Sequence, residues 1–539
     1  MRIFCLTLAV CLNGGQYAPA PPTVAQFGVT NEASRMPASL PGGAIARGSI
    51  FRIQGWRLGP PDPVTAARGA SATTLAGVSV EISAGGTRLK AVPLTVGEEE
   101  IHAVLPPDAP LGDVELRVTR DGLTSRRPAH VTVVESSFGA FSKNGRGWGP
   151  GVITNADGQP NSLEHAARPG ESVRLSGTGL GRVAPQVIVA EKPAGRIESA
   201  GPLAGRAGVD EIRFVLPPDT PEGCYVPVRV RTDAVVSNTV TLAVSSDGGA
   251  CSNAGNWIAA QARQSGSTGL VALLRVDLKT AATAKREADF PMDFGYAAFE
   301  QHPNTTSGGN PFYMFPPVGS CMTLAGRMSA RVFGVPLAAL DEAWGRLLDA
   351  GDGIVVTGEA GGRILKRSGK QRLRYSALLG GISPISDSGS IPLFLDPGLY
   401  RISVTGGRDV GPMETSIPVT PAIAWANRPH TVNRSRGVSV NWRPGRAGDL
   451  VLVTAMNSTE QSGALAVCSC LAESSSGQFH IPGEAVANLP VTPKTSEGLP
   501  MNLIILAEFP KAPPVLSIRG ADRVVSFFAS AAGYNIGFQ

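Results

Sequence analysis

The sequence predicts an all-β chain of several domains, and three observations carry that reading. Gly 65 and Pro 44 make up about a fifth of the 539 residues while charged residues reach only 17%, a composition of short strands and many turns rather than helical bundles. Apolar and polar residues alternate with a period of two, as in Val78-Ser79-Val80-Glu81-Ile82. Most telling, one stretch is written twice. Gly48-Ser49-Ile50-Phe51-Arg52-Ile53-Gln54-Gly55-Trp56-Arg57-Leu58-Gly59 returns as Gly170-Glu171-Ser172-Val173-Arg174-Leu175-Ser176-Gly177-Thr178-Gly179-Leu180-Gly181, and Leu105-Pro106-Pro107-Asp108 returns as Leu216-Pro217-Pro218-Asp219. Self-similarity at this period marks a duplicated domain, not a short solenoid repeat.

In chain order, residues 1–20 have the form of an export signal. Arg2 supplies the positive start, Ile3 to Leu12 the apolar run and Ala18-Pro19-Ala20 a small-residue cleavage pattern. The first domain is expected over 21–135, with Gln26 to Gly43 as a polar lead-in. Strands follow at Ile50–Ile53, within Thr74–Val96, at Ile101–Leu105, at Asp113–Val118 and at His130–Val134. The second domain, 136–250, repeats the plan. About seven short strands per unit, with turn signals roughly every 8 to 12 residues, predict an immunoglobulin-like sandwich, because each strand must bury one face against a second sheet. The Gly177-x-Gly179-x-Gly181 run could cradle a pyrophosphate only if a helix followed. Arg182 to Val189 reads as a strand, so the run is a turn. Asn155, Asp157 and Gly158 lack the carboxylates of a calcium loop and read as a hairpin turn.

The composition changes near Cys251, and 251–539 is expected to be a larger β-rich domain, with division near 390 as a second choice. Leu270 to Leu278 alternates as a strand. Leu337, Leu340, Trp344, Leu347 and Leu348 recur at helical spacing after Pro336, before Gly351, and predict a short helical insert. Ile354–Val356, Arg372–Tyr375, Gly398–Val404, Val438–Trp442 and Leu450–Val453 are strand-like again.

The Gly170–Gly181 stretch, Asn155-Ala156-Asp157-Gly158-Gln159-Pro160-Asn161-Ser162, Leu216-Pro217-Pro218-Asp219 and Ser237-Asn238 together resemble a family of secreted acidobacterial proteins with tandem immunoglobulin-like, IPT/TIG-type domains. Gly406-Gly407-Arg408-Asp409-Val410-Gly411, Arg434-Ser435-Arg436-Gly437 and Gly477-Gln478-Phe479-His480-Ile481-Pro482 resemble the C-terminal β domain of the same group. The resemblance implies exported sandwich modules and carries no catalytic residue. Copy one departs from the pattern, with Trp56 and Arg57 where small residues are expected.

Little in the chain points to chemistry. Six dispersed histidines form no metal-ligand spacing, and no Ser stands in a G-x-S-x-G elbow. Glu98-Glu99-Glu100 and Asp341-Glu342 read as solvated faces. A net charge of +5 without a dense basic run gives nucleic acid no footprint, and no later stretch reaches about 18 uninterrupted apolar residues, so no membrane span is expected. Export permits disulfides. Cys224 and Cys251 are the best intradomain pair, and Cys321 is paired more loosely with Cys468 or Cys470, whose Cys-Ser-Cys spacing reads as buried strand cysteine. Arg408 with Asp409, set between glycines, is the one candidate ligand contact. No cofactor is expected. These readings point to a secreted or surface-displayed binding or spacer protein for an extracellular protein or glycan. The rival expectation is an extracellular carbohydrate-active enzyme with its site in the C-terminal domain.

Overall fold

A computed structural model of the chain describes residues 20–69, 71–233, 235–252, 257, 266–283, 286–302, 315–327, 345–368, 373–381, 391–459, 463–492 and 502–539. Among the described residues the architecture is β, with helix confined to short pieces such as Gly483–Val486.

In the first unit the Ile50–Trp56 strand pairs antiparallel with Thr23–Asn31 on one side and Glu100–Val104 on the other, and Glu100–Val104 continues to Val92–Val96. The facing sheet runs Ile45–Ala46, Ala129–Val134, Gly112–Arg120, Val78–Ala84, Thr87–Lys90, with the first pair parallel. This strand order in two facing sheets is an immunoglobulin-like sandwich. The second unit repeats it. Ser172–Thr178 stands for Ile50–Trp56, Asp210–Val215 for Glu100–Val104, Gly223–Thr232 for Gly112–Arg120, and Gly149–Pro150 pairs parallel with Val240–Val244.

The repeated residues do the same work in both copies. Gly48 and Gly170 turn the chain at φ 70° and 80°, a region closed to most side chains. Two residues past the glycines the strands begin, and the amides of Leu105 and Leu216 donate to the carbonyls of Ser49 and Glu171 at 2.9 Å each. Ser125 and Ser237 accept from the amides of Val118 and Val230. Inward-facing Phe51, Ile53, Val80, Ile101 and Leu116 fill one core, and Val173, Leu175, Val187, Ile212 and Phe214 the other. Each such side chain contributes about 1.5–3 kcal/mol by leaving water.

The lead-in differs from expectation. Gln26 to Asn31 belong to the Thr23–Asn31 strand, whose register breaks between Val24 and Val29. Beyond it Met36 and Leu40 are buried in a core of the C-terminal half. A polar-looking segment thus carries two apolar anchors at a spacing of four.

That half is built on one long sheet. The Gly266–Thr283 strand pairs antiparallel with Arg286–His302 and parallel with Ala521–Asn535. Strands continue on both sides, from Arg374–Gly381 to Met413–Val419 at one end and from Leu503–Phe509 to Cys321–Arg327 at the other. Two cores result. One gathers Val271, Phe299, Tyr375, Ile402 and Val524, the other Val440, Trp442, Val453, Cys468 and Ile504. The expected helix falls largely on residues 328–344, outside the described residues. Its last part is not helical: Arg346–Leu347 pairs with Gln301 and Glu300 as a short strand. Gly345 sits so close to the carbonyl of Gln301 that a Cβ would lie 2.3 Å from it, so this glycine serves strand pairing, and Leu347 and Leu348 are buried against the sheet.

Candidate functional site

The sequence-predicted pair, Arg408 and Asp409, closes a turn. Asp409 Oδ2 accepts from the Asp349 amide at 2.9 Å, and the amides of Asp409 and Val410 donate to the Asp349 carbonyl. Arg408 reaches the same carboxylate at 3.2 Å with a side chain 73% exposed. The flanking Arg408 guanidinium, followed by the Asp349 amide, holds the Asp409 carboxyl below its ordinary range. Gly407 lets the 349–351 segment approach, since a Cβ there would lie 2.4 Å from the Gly351 nitrogen. Oδ2 is committed to the fold, while Oδ1 faces two exposed guanidinia, Arg408 and Arg346, the latter at 3.8 Å.

The cysteines are placed in two disulfides. Cys224 and Cys251 are bonded with Cα atoms 5.2 Å apart, and Cys321 is bonded to Cys470, directly opposite it on adjacent strands. Cys468 remains a buried thiol, 3.9 Å from Cys470 Sγ, and burial pushes its pKa up to about 12. The three sulfurs lie within 4.8 Å of one another, but the bond occupies two of them, leaving one donor and no thiolate set for a metal.

A second polar cluster lies on the first unit. His102 Nδ1 is 2.9 Å from Glu32 Oε2 and its Nε2 is 2.9 Å from Glu100 Oε1. Arg52 and Arg35 pair with the same carboxylates. Burial opposes a charge on His102, and its hydrogen bonds to Glu100 and Glu32 outweigh it, raising the pKa to about 9. Two carboxylates already neutralised by an imidazolium and two guanidinia make an ion-pair network that ties the Ile50–Trp56 and Glu100–Val104 strands to the turn after Asn31, not an open cation site.

The units are fastened by buried polar contacts. Asn31 Nδ2 donates to the Ser137 carbonyl at 3.1 Å, and the Ile50 amide donates to Thr178 Oγ1 at 2.8 Å. Between the second unit and the C-terminal half, Arg229 grips Glu191 through two bonds of 3.0 Å and donates to the Cys321 carbonyl at 2.6 Å, while Glu191 Oε1 accepts from the Cys321 amide at 2.9 Å. Arg229 is 1% exposed. Sequence patterning missed it, because an arginine in an alternating strand reads as a solvent-facing position.

A pocket of about 240 Å³ opens on the outer face of the second unit, lined among others by Lys143, Asn161, Ser162, Glu164, Tyr225 and Thr241. Strand alternation explains its position. Val240, Leu242 and Val244 point into the sandwich core, which turns Thr241 and Ala243 to the opposite face. There Cys224, Tyr225 and Ala243 form a small apolar floor with Leu163 and Trp148 packed on it. Cys224, which lines the pocket, is bonded to Cys251, and the Cys251 amide donates to the Leu163 carbonyl at 2.9 Å, which pins the rim. Asn161 braces the wall: its side chain donates to Asn155 Oδ1 and the Ala243 carbonyl and accepts from the Ala243 amide. The sequence signal here is the Asn155–Ser162 motif, which reads as a turn and as part of the family resemblance, not as the rim of a pocket.

No family model and no curated protein matches the chain. Among solved structures, a mixed-linkage glucan utilization locus protein, SGBP-B of Bacteroides ovatus, crystallised with a mixed-linkage heptasaccharide, is 13% identical, with a TM-score of 0.20, over 47% of this chain and 64% of that one. The FN1–FN3 domains of chicken CNTN1 align at 10% identity and a TM-score of 0.15 over 70% of this chain and 95% of theirs. The extracellular region of plexin A4 aligns at 12% and 0.17 over 42% and 18%. At this level of similarity none of them bears on what the chain binds; the immunoglobulin-like assignment rests on the strand order itself.

Proposed function

We propose that the chain is a secreted or cell-surface, non-catalytic protein of the tandem IPT/TIG type, exported through residues 1–20, whose sandwich modules serve as a rigid spacer and a binding module for an extracellular protein or glycan. The observation that carries this reading is the fastening of the units. Asn31, Thr178 and the Arg229–Glu191 pair bury their polar groups at the junctions, and Met36 and Leu40 plug the first unit's loop into the C-terminal core. Flexible linkers would leave those groups in water. A fastened stack presents its surfaces at fixed spacing, which suits display and recognition. The test applies the full mature chain to a glycan array and to parallel hydrolysis assays. Retention of a glycan or protein ligand without product is expected. Release of reducing sugar from any polymer would overturn the reading in favour of a carbohydrate-active enzyme.

A further inference from the structure

We propose that the exposed sheet edge of the second unit, the Arg196–Pro202 strand, receives an extended segment of a partner protein as an added antiparallel strand. This rests on the binding role proposed above and names the partner chemistry of one surface.

The duplication supplies the argument. The two units carry matching outer strands, Val92–Val96 and Arg196–Pro202, each paired antiparallel with the matching inner strand, Glu100–Val104 or Asp210–Val215. In the first unit the chain covers this strand itself. Its connection over residues 60–77, which the second unit shortens to 182–185, includes the Val64–Thr65 strand, and Val64 pairs with Val96 and Thr65 with Thr95. The Ala66 amide adds a bond of 2.8 Å to the Leu94 carbonyl. In the second unit the sheet stops at Arg196–Pro202 among the described residues, and no residue of that strand is buried.

The registers place the vacant slot. Val92 and Arg196 face Val104 and Val215, which in turn face Ile50 and Ser172. Counting along the strands sets Thr95 and Val96 against Ser199 and Ala200, both exposed. The Leu203 amide bonds inward to the Val209 carbonyl, so alternation turns the amide and carbonyl of Ala200 outward. A bare edge of this kind is a template for a further strand, and bulges, prolines or outward charges are what usually guard it. Here the bulge after Ile197 repeats the one after Pro93, which does not stop Val64–Thr65 from pairing. Pro202 lies beyond the pairing residues. The nearby guanidinia of Arg196 and Arg213 are both drawn onto Glu198, at 2.7 and 2.8 Å, which leaves Ser199 and Ala200 with only small side chains.

The first unit also shows what such a slot takes. Val64 and Thr65 follow Pro63, are β-branched and leave their side chains exposed, so the backbone carries the pairing. Main-chain recognition of this kind selects an extended peptide with β-branched residues after a proline, not a sugar.

The experiment uses the full mature chain and a fluorescein-labelled peptide of residues 60–69, PPDPVTAARG, read by anisotropy. Saturable binding below about 1 mM is expected. The same peptide N-methylated at Val64 and Ala66, the amides that would face the edge, should bind about ten-fold more weakly or worse. A200P should cost about as much, since it removes the outward donor, with circular dichroism and melting temperature unchanged because an edge strand tolerates proline where its amide faces water. A200V keeps the amide and should stay within about three-fold of wild type. The methylated peptide tests the same bonds on the unaltered protein. Absence of saturable binding, or full affinity of either the methylated peptide or A200P, would overturn the inference. So would a dimer of the unliganded chain in sedimentation velocity that A200P dissociates, which would give the edge to a second copy. If the mature chain retains a glycan or protein ligand while the peptide is not bound, the edge assignment falls and the binding role stands. If nothing is retained, both fall.

Discussion

Replacing Arg229 with Met tests the junction between the second unit and the C-terminal half. The guanidinium, with 2% of its side chain exposed, balances a Glu191 carboxylate that is 13% exposed, and three hydrogen bonds leave with it. Removing one partner of such a pair strands the other charge in a poorly solvated place, at about 3–5 kcal/mol. Glu191 keeps its bond from the Cys321 amide, so the lower end, about 3 kcal/mol, applies. Removing both charges in R229M/E191M takes away the stranded carboxylate but leaves the Cys321 amide and carbonyl without these partners, so the double variant should cost less than the two single variants added yet remain below wild type. The assay is urea denaturation followed by tryptophan fluorescence, with all four members of the cycle measured together. Because several units are involved, the transition that reports the junction is the one to fit. A single-variant cost below about 1 kcal/mol, or a double variant as costly as the two singles added, would refute the claim that this pair fastens the units.

Three further outcomes follow from buried titrating groups. His102 has its pKa raised from 6.5 to about 9, so its stabilising contribution is complete below pH 6.5 and is lost as pH rises through 9. H102Q should lower stability by about 1–3 kcal/mol at pH 6 and by little at pH 10, and an unchanged pH–stability curve would contradict the network. Burial pushes the Glu300 carboxyl up to about 7 from 4.5, against the pull of Arg374. Its ionisation penalises the fold increasingly from pH 4.5 to 7, so E300Q should gain about 1–3 kcal/mol at pH 8 and nothing at pH 4; equal effects at both pH values would tell against it. Cys468, fully buried with its pKa near 12, should resist iodoacetamide at pH 8 in the native protein and react on unfolding, as peptide mass spectrometry would show. Alkylation before unfolding would mean the core around it opens.

The sandwich units were legible because their information is local and repeated. Gly48 and Gly170 demand the same turn, and Val78 to Ile82 show their inward face by alternation. The Asp409 turn could be located but its role could not, since the partner atoms at Asp349 lie 60 residues away. The junction was not legible. Nothing in the neighbourhood of Arg229 or Glu191 distinguishes a buried pair from two solvated side chains, and their mate, the Cys321 backbone, has no side-chain signature. The pocket was half legible: its rim motif, Asn155 to Ser162, stood out, whereas Lys143 and Thr241 come to line the same pocket only once the sheet forms. The helix expected over Leu347 and Leu348 is absent there because Gly345 packs on the Gln301 carbonyl and the chain pairs with the neighbouring strand instead, a long-range contact that local apolar spacing does not encode.

The parallel pairing of Gly266–Thr283 with Ala521–Asn535 joins segments some 255 residues apart. Among the described residues, the amino-terminal modules hold their strand partners within their own span and can fold as soon as that span has been synthesised. The C-terminal half must keep its central strand waiting until nearly the last residue has emerged, since only then can the two halves of the sheet join. Loss of the final twenty residues would therefore leave two finished modules attached to an unsealed sheet, a species prone to stick to its own kind.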